Sequence, residues 1–204
     1  MDALVAAARD AGVRSDRVLA AIAAVPRSDF VPPDYVGEAD VDAPIPIPHA
    51  QVTTQPSLVA RMVEALALDG DERVLEIGTG YGWQTALLAE LAREVFSAER
   101  FRDLAETARA ALERHENVTV VVGDGTEGLT EHAPFDAILV AAAYPSVPAP
   151  LAEQLSEDGR LVQPLGLGGA EDVVLFEKRG GELHRLRSLG GAHFVRLHGR
   201  HGFP

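Results

Sequence analysis

The sequence predicts an α/β fold whose central sheet is doubly wound and mainly parallel, with antiparallel strands at its C-terminal end and a helical extension at its N-terminus. Two observations predict it. From residue 73 onward, short apolar segments alternate with Ala- and Leu-rich segments of helical periodicity, a pattern typical of parallel strands covered by helices. Near the C-terminus, Gly180-Gly181 separates two strand-like segments, which predicts a hairpin.

The first residues of the chain predict two short helices. Residues 2–24 are rich in alanine and valine, with one interruption at Gly12. Ser15 is the predicted N-cap of the second helix, which covers residues 16–24, because a serine side chain accepts a hydrogen bond from the first helical turn.

A proline-rich arm follows these helices. Proline interrupts residues 25–33, so we expect a loop there. Residues 43–56 contain four prolines, and these favour a stiff, extended arm over a helix. We therefore expect residues 1–56 to carry the N-terminal helices and this extended arm, and residues 57–204 to form the main domain, in one compact unit.

Strands and helices then alternate through the main domain. A helix at 57–68 leads into it, and the strand at 135–141 is apolar enough to be buried on both faces. The other predicted strands are 73–77, 94–99, 117–122, 160–164, 172–178 and 183–189. The other predicted helices are 83–92, 101–114 and 150–155.

The composition excludes several classes of function. Hydrophobic residues make up 47% of the 204 residues, which allows a sizeable core. The formal net charge of −13 argues against nucleic acid and anionic membranes as partners. No cysteine is present, which excludes disulfides, thiolate metal sites and a cysteine nucleophile.

The same composition predicts a location and the absence of a metal. No apolar run approaches the ~18 residues of a membrane span, and no signal-peptide pattern opens the chain, so we expect a cytoplasmic protein. We also expect it to be a monomer. His193, His198 and His201 lie close together in sequence. They have no adjacent carboxylate or cysteine to complete a ligand set, so we expect no metal site.

The most informative segment is a glycine-rich turn between the strand at 73–77 and the next helix. Residues 77–82 follow Glu76 and read Ile-Gly-Thr-Gly-Tyr-Gly, a G-x-G-x-G spacing. Such a turn places backbone N–H groups and the positive end of a helix dipole beside a ligand. The spacing differs from the G-x-G-x-x-G of nicotinamide sites and favours S-adenosylmethionine (SAM), hence methyl transfer. The predicted cofactor contacts here are Glu76, Gly78, Thr79 and Gly80.

Further acids end the two following strands. Glu99 closes the second strand of the main domain, and Asp124 with Gly125 follows the third. Ligands of open α/β sheets bind outside the carboxyl ends of the strands, so Glu99 is placed to accept from ribose hydroxyls and Asp124 from an adenine amine. Each feature alone is also typical of a solvated strand end or an ordinary turn. Together, and in this order, they predict a SAM site in a Rossmann-like class I SAM-dependent methyltransferase.

Several separated segments carry a family resemblance. They are Val25-Pro26-Arg27 with Phe30-Val31-Pro32, Ile45-Pro46-Ile47 with Gln51 and Thr54-Gln55-Pro56, Glu76 to Thr85, Phe135 to Ile138, and Phe194-Val195 with Leu197. These segments resemble the protein-L-isoaspartate O-methyltransferase family, and the resemblance covers nearly the whole chain. It implies methyl transfer from SAM to the free α-carboxyl of an L-isoaspartyl residue in a damaged protein or peptide. The ester then collapses to a succinimide, which reopens partly to normal aspartate.

The resemblance also implies that Thr54 lies at the reaction centre. The acceptor contacts that we predict with it are Ile47, Gln51 and Thr53. A carboxylate with an unperturbed pKa of about 4 is ionised at neutral pH, so the acceptor needs no general base and catalysis is mostly alignment. Threonine is also a good N-cap for the helix opened by Pro56, and Thr53 competes with Thr54 for either role.

The chain departs from the family pattern on the acceptor side. The family has Gly-x-Gly-Gln-Thr-Ile-Ser where residues 48–54 read Pro-His-Ala-Gln-Val-Thr-Thr, so Ala50 replaces a glycine and Val52 a hydroxyl-bearing residue. Two alternatives therefore stay open: a carboxyl methyltransferase for normal aspartate in a dedicated peptide, and a non-catalytic adenosyl-binding module. Candidates for drawing in the acceptor carboxylate are Arg27, Arg61 and Arg196, the last in place of a family proline.

Overall fold

The computed structural model describes residues 2–204 and contains a small hairpin and one seven-stranded sheet with flanking helices. The hairpin strands are β1 (Pro46–Ile47) and β2 (Gln51–Val52). The sheet strands are β3 (Arg73–Ile77), β4 (Glu94–Glu99), β5 (Val118–Val122), β6 (Phe135–Val140), β7 (Leu155–Leu165), β8 (Glu171–Arg179) and β9 (Glu182–Ala192). The helices are α1 (Asp2–Asp10), α2 (Asp16–Ala24), α3 (Pro56–Leu66), α4 (Trp83–Leu91), α5 (Arg102–Ala111) and α6 (Ala149–Gln154).

The sheet has the order β5-β4-β3-β6-β7-β8-β9. Strands β3 to β7 are parallel, whereas β8 and β9 are antiparallel to their neighbours, which confirms the predicted fold class. The chain winds outward from β3 to β5 and then returns to place β6 on the other side of β3. Ligand sites of such sheets lie at this reversal, outside the carboxyl ends of the strands.

The N-terminal helices share a hydrophobic core with the main domain. Leu4 of α1 and Ile22 of α2 are buried in the same cluster as Met62 of α3. Burial of each such side chain contributes roughly 1.5–3 kcal/mol, so these helices are held firmly. Ser15 caps α2 as predicted, its hydroxyl accepting from Val18 N at 3.4 Å. None of the helices within residues 2–204 is long and apolar enough to cross a membrane.

The arm differs most from its predicted form. The loop expected at 25–33 contains a 3-10 helix (Arg27–Phe30) and the start of another (Pro33–Glu38). The extended arm is folded on itself as the β1–β2 hairpin. Its turn holds His49 and Ala50 at φ +61° and +54°, a left-handed region that glycine enters most easily. The prolines of residues 43–56 indicate a stiff segment, but their spacing does not predict a turn at these two residues.

Candidate active site

The carboxyl ends of β3, β4 and β6 open into a cleft at the reversal in strand order. Three segments enclose it: the arm, the glycine turn after β3, and the chain that follows β9. The lining includes residues 51–54, 77–84, 98–101, 141–142 and 195–198, together with Ile47 and Gly125. The cleft therefore brings most of the predicted cofactor and acceptor residues to one place.

The glycine turn owes its shape to left-handed residues at alternate positions. Gly78, Gly80 and Gly82 have φ of +97°, +55° and +95°, values that other residues adopt only at a cost. Gly82 is also the N-cap of α4 and supplies no side-chain cap, so N–H groups of the first turn are available to a ligand. This backbone explains why glycine recurs at every second position.

Glu76 lies beneath this turn. Its carboxylate is fully buried and accepts hydrogen bonds from Gln84 Nε2 at 2.9 Å, Thr85 Oγ1 at 2.5 Å and Ser97 Oγ at 2.5 Å. Burial raises the pKa of Glu76 to about 7, although these donors pull it downward. Glu76 was predicted as a direct cofactor contact; in this structure its carboxylate does not line the cleft and lies beneath the glycine turn. Thr79 does line the cleft, and its hydroxyl lies 2.5 Å from Ser97 Oγ.

Glu99 is the acid that reaches the cleft. Its side chain is nearly buried, and it accepts from Gly80 N and from Phe101 N, each at 3.0 Å. A carboxylate has about four acceptor positions, so acceptor capacity is left for a ligand's hydroxyl groups. Gly80 and Glu99 are therefore joined in one wall of the cleft.

Asp124 and Gly125 have separate tasks. Gly125 lines the cleft where a Cβ atom would overlap Ile77 Cγ2. Asp124 lies behind it and accepts from Thr126 N at 2.9 Å, Thr126 Oγ1 at 2.7 Å and Arg200 N at 2.7 Å. Burial opposes ionisation of Asp124, but these bonds outweigh it and lower its pKa. Asp124 was predicted to contact an adenine amine; in this structure both of its oxygens bind the protein and the residue does not line the cleft.

The two threonines of the arm divide the roles that the sequence left open. Thr53 Oγ1 accepts from Arg27 Nη2 at 2.9 Å and from Ile45 N at 3.0 Å, so it is committed to the protein. Thr54 lines the cleft, and its hydroxyl has no hydrogen-bond partner within residues 2–204. Neither threonine caps α3, whose N-cap residue is Gln55.

The tip of the hairpin is attached to the opposite wall. His49 Nε2 lies 2.8 Å from a carboxylate oxygen of Asp103 in α5, and the His49 ring stacks on Phe101 with centroids 4.1 Å apart. The hydrogen bond from His49 lowers the pKa of Asp103, and partial desolvation opposes this shift without cancelling it. Gln51 Nε2 donates to His49 O at 2.9 Å and steadies the turn. The contact between His49 and Asp103 joins residues 54 positions apart and was not predicted from the sequence.

Only one of the three candidate arginines lines the cleft. Arg27 is buried, and Arg61 donates to Leu189 O. Arg196 lines the cleft, with its Nε donating to Leu167 O at 3.2 Å and its guanidinium 5.0 Å from the centroid of the Phe203 ring. The two Nη groups of Arg196 have no partner in the described chain.

Further lining residues were not predicted as site residues. Gln84 is nearly buried in the first turn of α4, and no hydrogen-bond partner is found for its Oε1 among residues 2–204. Gln84 could have been predicted from its position directly after the glycine turn, in the first turn of the following helix. Arg100 and His198 also line the cleft. No group of three or more His, Asp or Glu side chains in the described part of the chain is arranged to hold a metal ion.

Comparison with known proteins identifies the family. A sequence model of the protein-L-isoaspartate(D-aspartate) O-methyltransferases matches residues 1–202. This chain belongs to that family. The resemblance inferred from the glycine turn and the arm is thereby confirmed.

Relatives of this family match over almost the whole chain. The protein-L-isoaspartate O-methyltransferase of Myxococcus xanthus is 50% identical over 194 residues, 93% of this chain and 92% of the relative. That of Koribacter versatilis is 46% identical over 197 residues, 96% of this chain and 88% of the relative. A solved protein-L-isoaspartate O-methyltransferase is 30% identical and superposes with a TM-score of 0.88, covering 98% of this chain and 67% of its own.

A more distant structure shares the fold. It is a Plasmodium falciparum protein described as a putative protein-L-isoaspartate O-methyltransferase in complex with S-adenosyl-L-homocysteine. It is 22% identical, with a TM-score of 0.81 and 96% of both chains covered. Members of the family therefore keep this architecture at low sequence identity.

Proposed function

We propose that this cleft transfers the methyl group of SAM to the free α-carboxyl of L-isoaspartyl residues in damaged proteins and peptides. Family membership makes the chain a SAM-dependent carboxyl O-methyltransferase of protein repair. The observation that carries the proposal is the free hydroxyl of Thr54 in the same cleft as the glycine turn and Glu99. The residue proposed to bind the acceptor and the residues proposed to bind the cofactor thus line the same cleft.

The residues present fit the cofactor. SAM supplies a methyl group on a sulfonium, together with an ammonium, ribose hydroxyls and an adenine. The buried, unpaired Gln84 Oε1 is an acceptor suited to an ammonium, and Glu99 has acceptor capacity for ribose hydroxyls. We assign cofactor contacts to Gly78, Thr79, Gly80, Glu99, Gly125 and Gln84.

The acceptor side requires orientation more than activation. An ionised carboxylate needs no general base, so Thr54 acts by donating its hydroxyl hydrogen to the acceptor and holding it in line. Arg196 supplies a positive charge at the cleft, which matters on a chain of net charge −13. Ile47 lines the cleft with Gln51, and its apolar side chain limits water there.

The composition of the chain bears on its oligomeric state, location and partners. We propose that the protein acts as a monomer in the cytoplasm and does not bind nucleic acid. The net charge of −13 and the absence of cysteine support this. We also keep the division into residues 1–56 and 57–204 as a proposal, with both parts in one compact unit.

One alternative retains support from a specific observation. Val52 replaces a hydroxyl-bearing residue and is 44% exposed on the arm, which changes the surface offered to a peptide and keeps an aspartyl acceptor as the alternative. Ala50 points the other way, because its φ of +54° preserves the turn that a glycine would form. A purely adenosyl-binding role leaves the free hydroxyl of Thr54 unexplained.

Two peptides of identical composition test the proposed function. One carries isoaspartate and the other aspartate, and each is incubated with the enzyme and SAM. We expect methylation of the isoaspartyl peptide alone. Methylation of the aspartyl peptide alone would establish the alternative, and SAM binding without methylation of either would support a binding module. Absence of SAM binding by calorimetry would reject all three.

A further inference from the structure

The chain immediately before Thr54 is held by a hydrogen bond from a distant arginine. Thr53 Oγ1 accepts from Arg27 Nη2 at 2.9 Å and from Ile45 N at 3.0 Å, while Thr53 N donates to Ile45 O at 2.8 Å. Each of these groups is bonded within the protein. They fix the backbone from which Thr54 extends.

The chain immediately after Thr54 is held by a distant carboxylate. Asp42 accepts from Gln55 Nε2 at 2.8 Å and from Ser57 N at 2.8 Å. Asp42 thus supplies to α3 the capping bond that its own N-cap residue, Gln55, does not make. The first turn of α3 cannot move without breaking this bond.

Arg27 connects the two attachments. Its side chain is 2% exposed, and burial lowers its pKa to about 10, partly offset by the charge of Asp42. Burying a guanidinium is costly unless its donors are used. Besides Thr53, they bind the carbonyl groups of Ala39, Val41 and Ala43. Two of these carbonyls flank Asp42, so one arginine orders both the loop that carries Asp42 and the residue before Thr54.

We propose that Arg27 and Asp42 are positioning residues for methyl transfer, which fix the chain on both sides of Thr54 and so hold its hydroxyl in the cleft. This inference rests on the proposed function of Thr54. That hydroxyl has no partner of its own in the described chain, so its position depends on the neighbouring attachments. A displacement of about 1 Å at a reaction centre can lower the rate as much as 100-fold.

Thr53→Val tests the attachment at Arg27 and keeps the arginine itself, whose Nη2 group still donates to Ala43 O. Valine keeps the shape and removes the hydroxyl, whereas Thr53→Ser retains it. With an isoaspartyl peptide we expect kcat to fall roughly tenfold in Thr53→Val and serine to restore most of it, with SAM Kd from calorimetry changed less than about twofold in both. Asp42→Asn should lower kcat in the same way. Thr119→Val makes the same chemical change at an exposed position of β5 and serves as the control.

A double-mutant cycle separates positioning from general destabilisation. If Thr53 acts through Thr54, adding Thr53→Val to Thr54→Val should cost less than a further twofold or so in kcat. A full, independent tenfold loss in that background would overturn the proposal, as would a parallel loss of SAM affinity in the single variant.

Hydrogen exchange tests the attachments without any acceptor. The amides of Thr53 and Ser57, which donate to Ile45 O and to Asp42, should exchange faster in Thr53→Val than in wild type, while those of residues 94–99 should not change. Unchanged exchange at these two amides would overturn the positioning role. If the wild-type enzyme methylates no isoaspartyl peptide, the proposed function fails, and this measurement still decides whether Arg27 holds the arm.

Discussion

The two walls of the cleft are built in different ways. The cofactor wall, formed by the chain after β3, β4 and β5, rests on the sheet, and beneath it Glu76 gathers bonds from α4 and β4. The acceptor wall, formed by the arm, has two strands of two residues each and is held by side chains from elsewhere, Arg27 and Asp42 above all. A sheet edge positions ligand groups without further support, whereas an arm needs separate attachments. The first wall should therefore govern SAM affinity and the second turnover.

The largest expected effect lies beneath the cofactor wall. Because the pKa of Glu76 is raised from 4.5 to about 7, the folded state binds more protons than the unfolded state between these values. Its contribution to stability is therefore present below pH 4.5 and is lost as the pH rises through 7. Glu76→Gln removes this dependence. The free energy of unfolding of wild type, relative to the variant, should fall by roughly 2–3 kcal/mol between pH 5 and pH 8.

Urea unfolding at several pH values measures this difference. Glu113→Gln, which removes an exposed carboxylate, controls for the change in net charge. If the free energies of unfolding of wild type and Glu76→Gln change with pH in the same way, the three donors keep the buried carboxylate ionised. The residue beneath the cofactor wall would then be a charged carboxylate and not a neutral acid.

Next in size is a steric change in the cofactor wall itself. In Gly125→Ala the new Cβ overlaps Ile77 Cγ2, and such overpacking costs about 1–3 kcal/mol. We expect SAM Kd to rise roughly 10- to 100-fold by calorimetry. Gly123→Ala is a close match two residues away, where a Cβ would meet nothing within 4 Å, and it should bind SAM like wild type. Equal affinities for both variants would contradict the assigned role of Gly125.

Local patterns were sufficient to predict most of the cofactor wall. Strand β3, the alternating glycines and the acid at the end of β4 all lie within short stretches whose composition determines their conformation. Glu76 was predicted as a contact because ligands of open α/β sheets bind outside the carboxyl ends of the strands. Only the convergence of Gln84, Thr85 and Ser97 makes it a buried acceptor. The bond from Arg200 N to Asp124 joins residues 76 positions apart, so local patterns could not predict it either.

The acceptor wall could not be predicted from local patterns. The motif containing Arg27 was recognised, but its partners lie 12 to 26 residues further on. A threonine before a proline-opened helix is usually a cap, and here Asp42 takes that role from 15 residues away. Long-range hydrogen bonds leave no periodicity in a sequence, so the division of labour between Thr53 and Thr54 required the structure.

A moderate effect is expected from the acceptor wall at Thr54. Thr54→Val removes one hydrogen bond to a charged acceptor, which contributes about 1.5–3 kcal/mol, so kcat should fall about tenfold or more. SAM Kd from calorimetry should stay within roughly twofold of wild type. Thr54→Ser keeps the hydroxyl and should keep most of the activity. Loss of SAM affinity in Thr54→Val would mean that the two walls are not separable.

The smallest effect is expected at the tip of the hairpin, where the arm touches the cofactor wall. The side chains of His49 and Asp103 are 38% and 61% exposed, and exposed pairs contribute little. His49→Ala should therefore change kcat and SAM Kd by less than about threefold, and less still at about 0.5 M salt.

The pH dependence of this contact follows from Asp103. Because its pKa is lowered below the ordinary value of 3.8, the carboxylate stays ionised until the pH falls through that lowered pKa, and the contact persists down to that pH. Asp103→Asn should match His49→Ala if the ion pair matters. A loss as large as that of Thr54→Val would mean that the arm is held chiefly from its tip rather than at Thr53. The stacking of the His49 ring on Phe101, which follows Glu99 and Arg100 in the chain, would then couple acceptor binding to the cofactor wall.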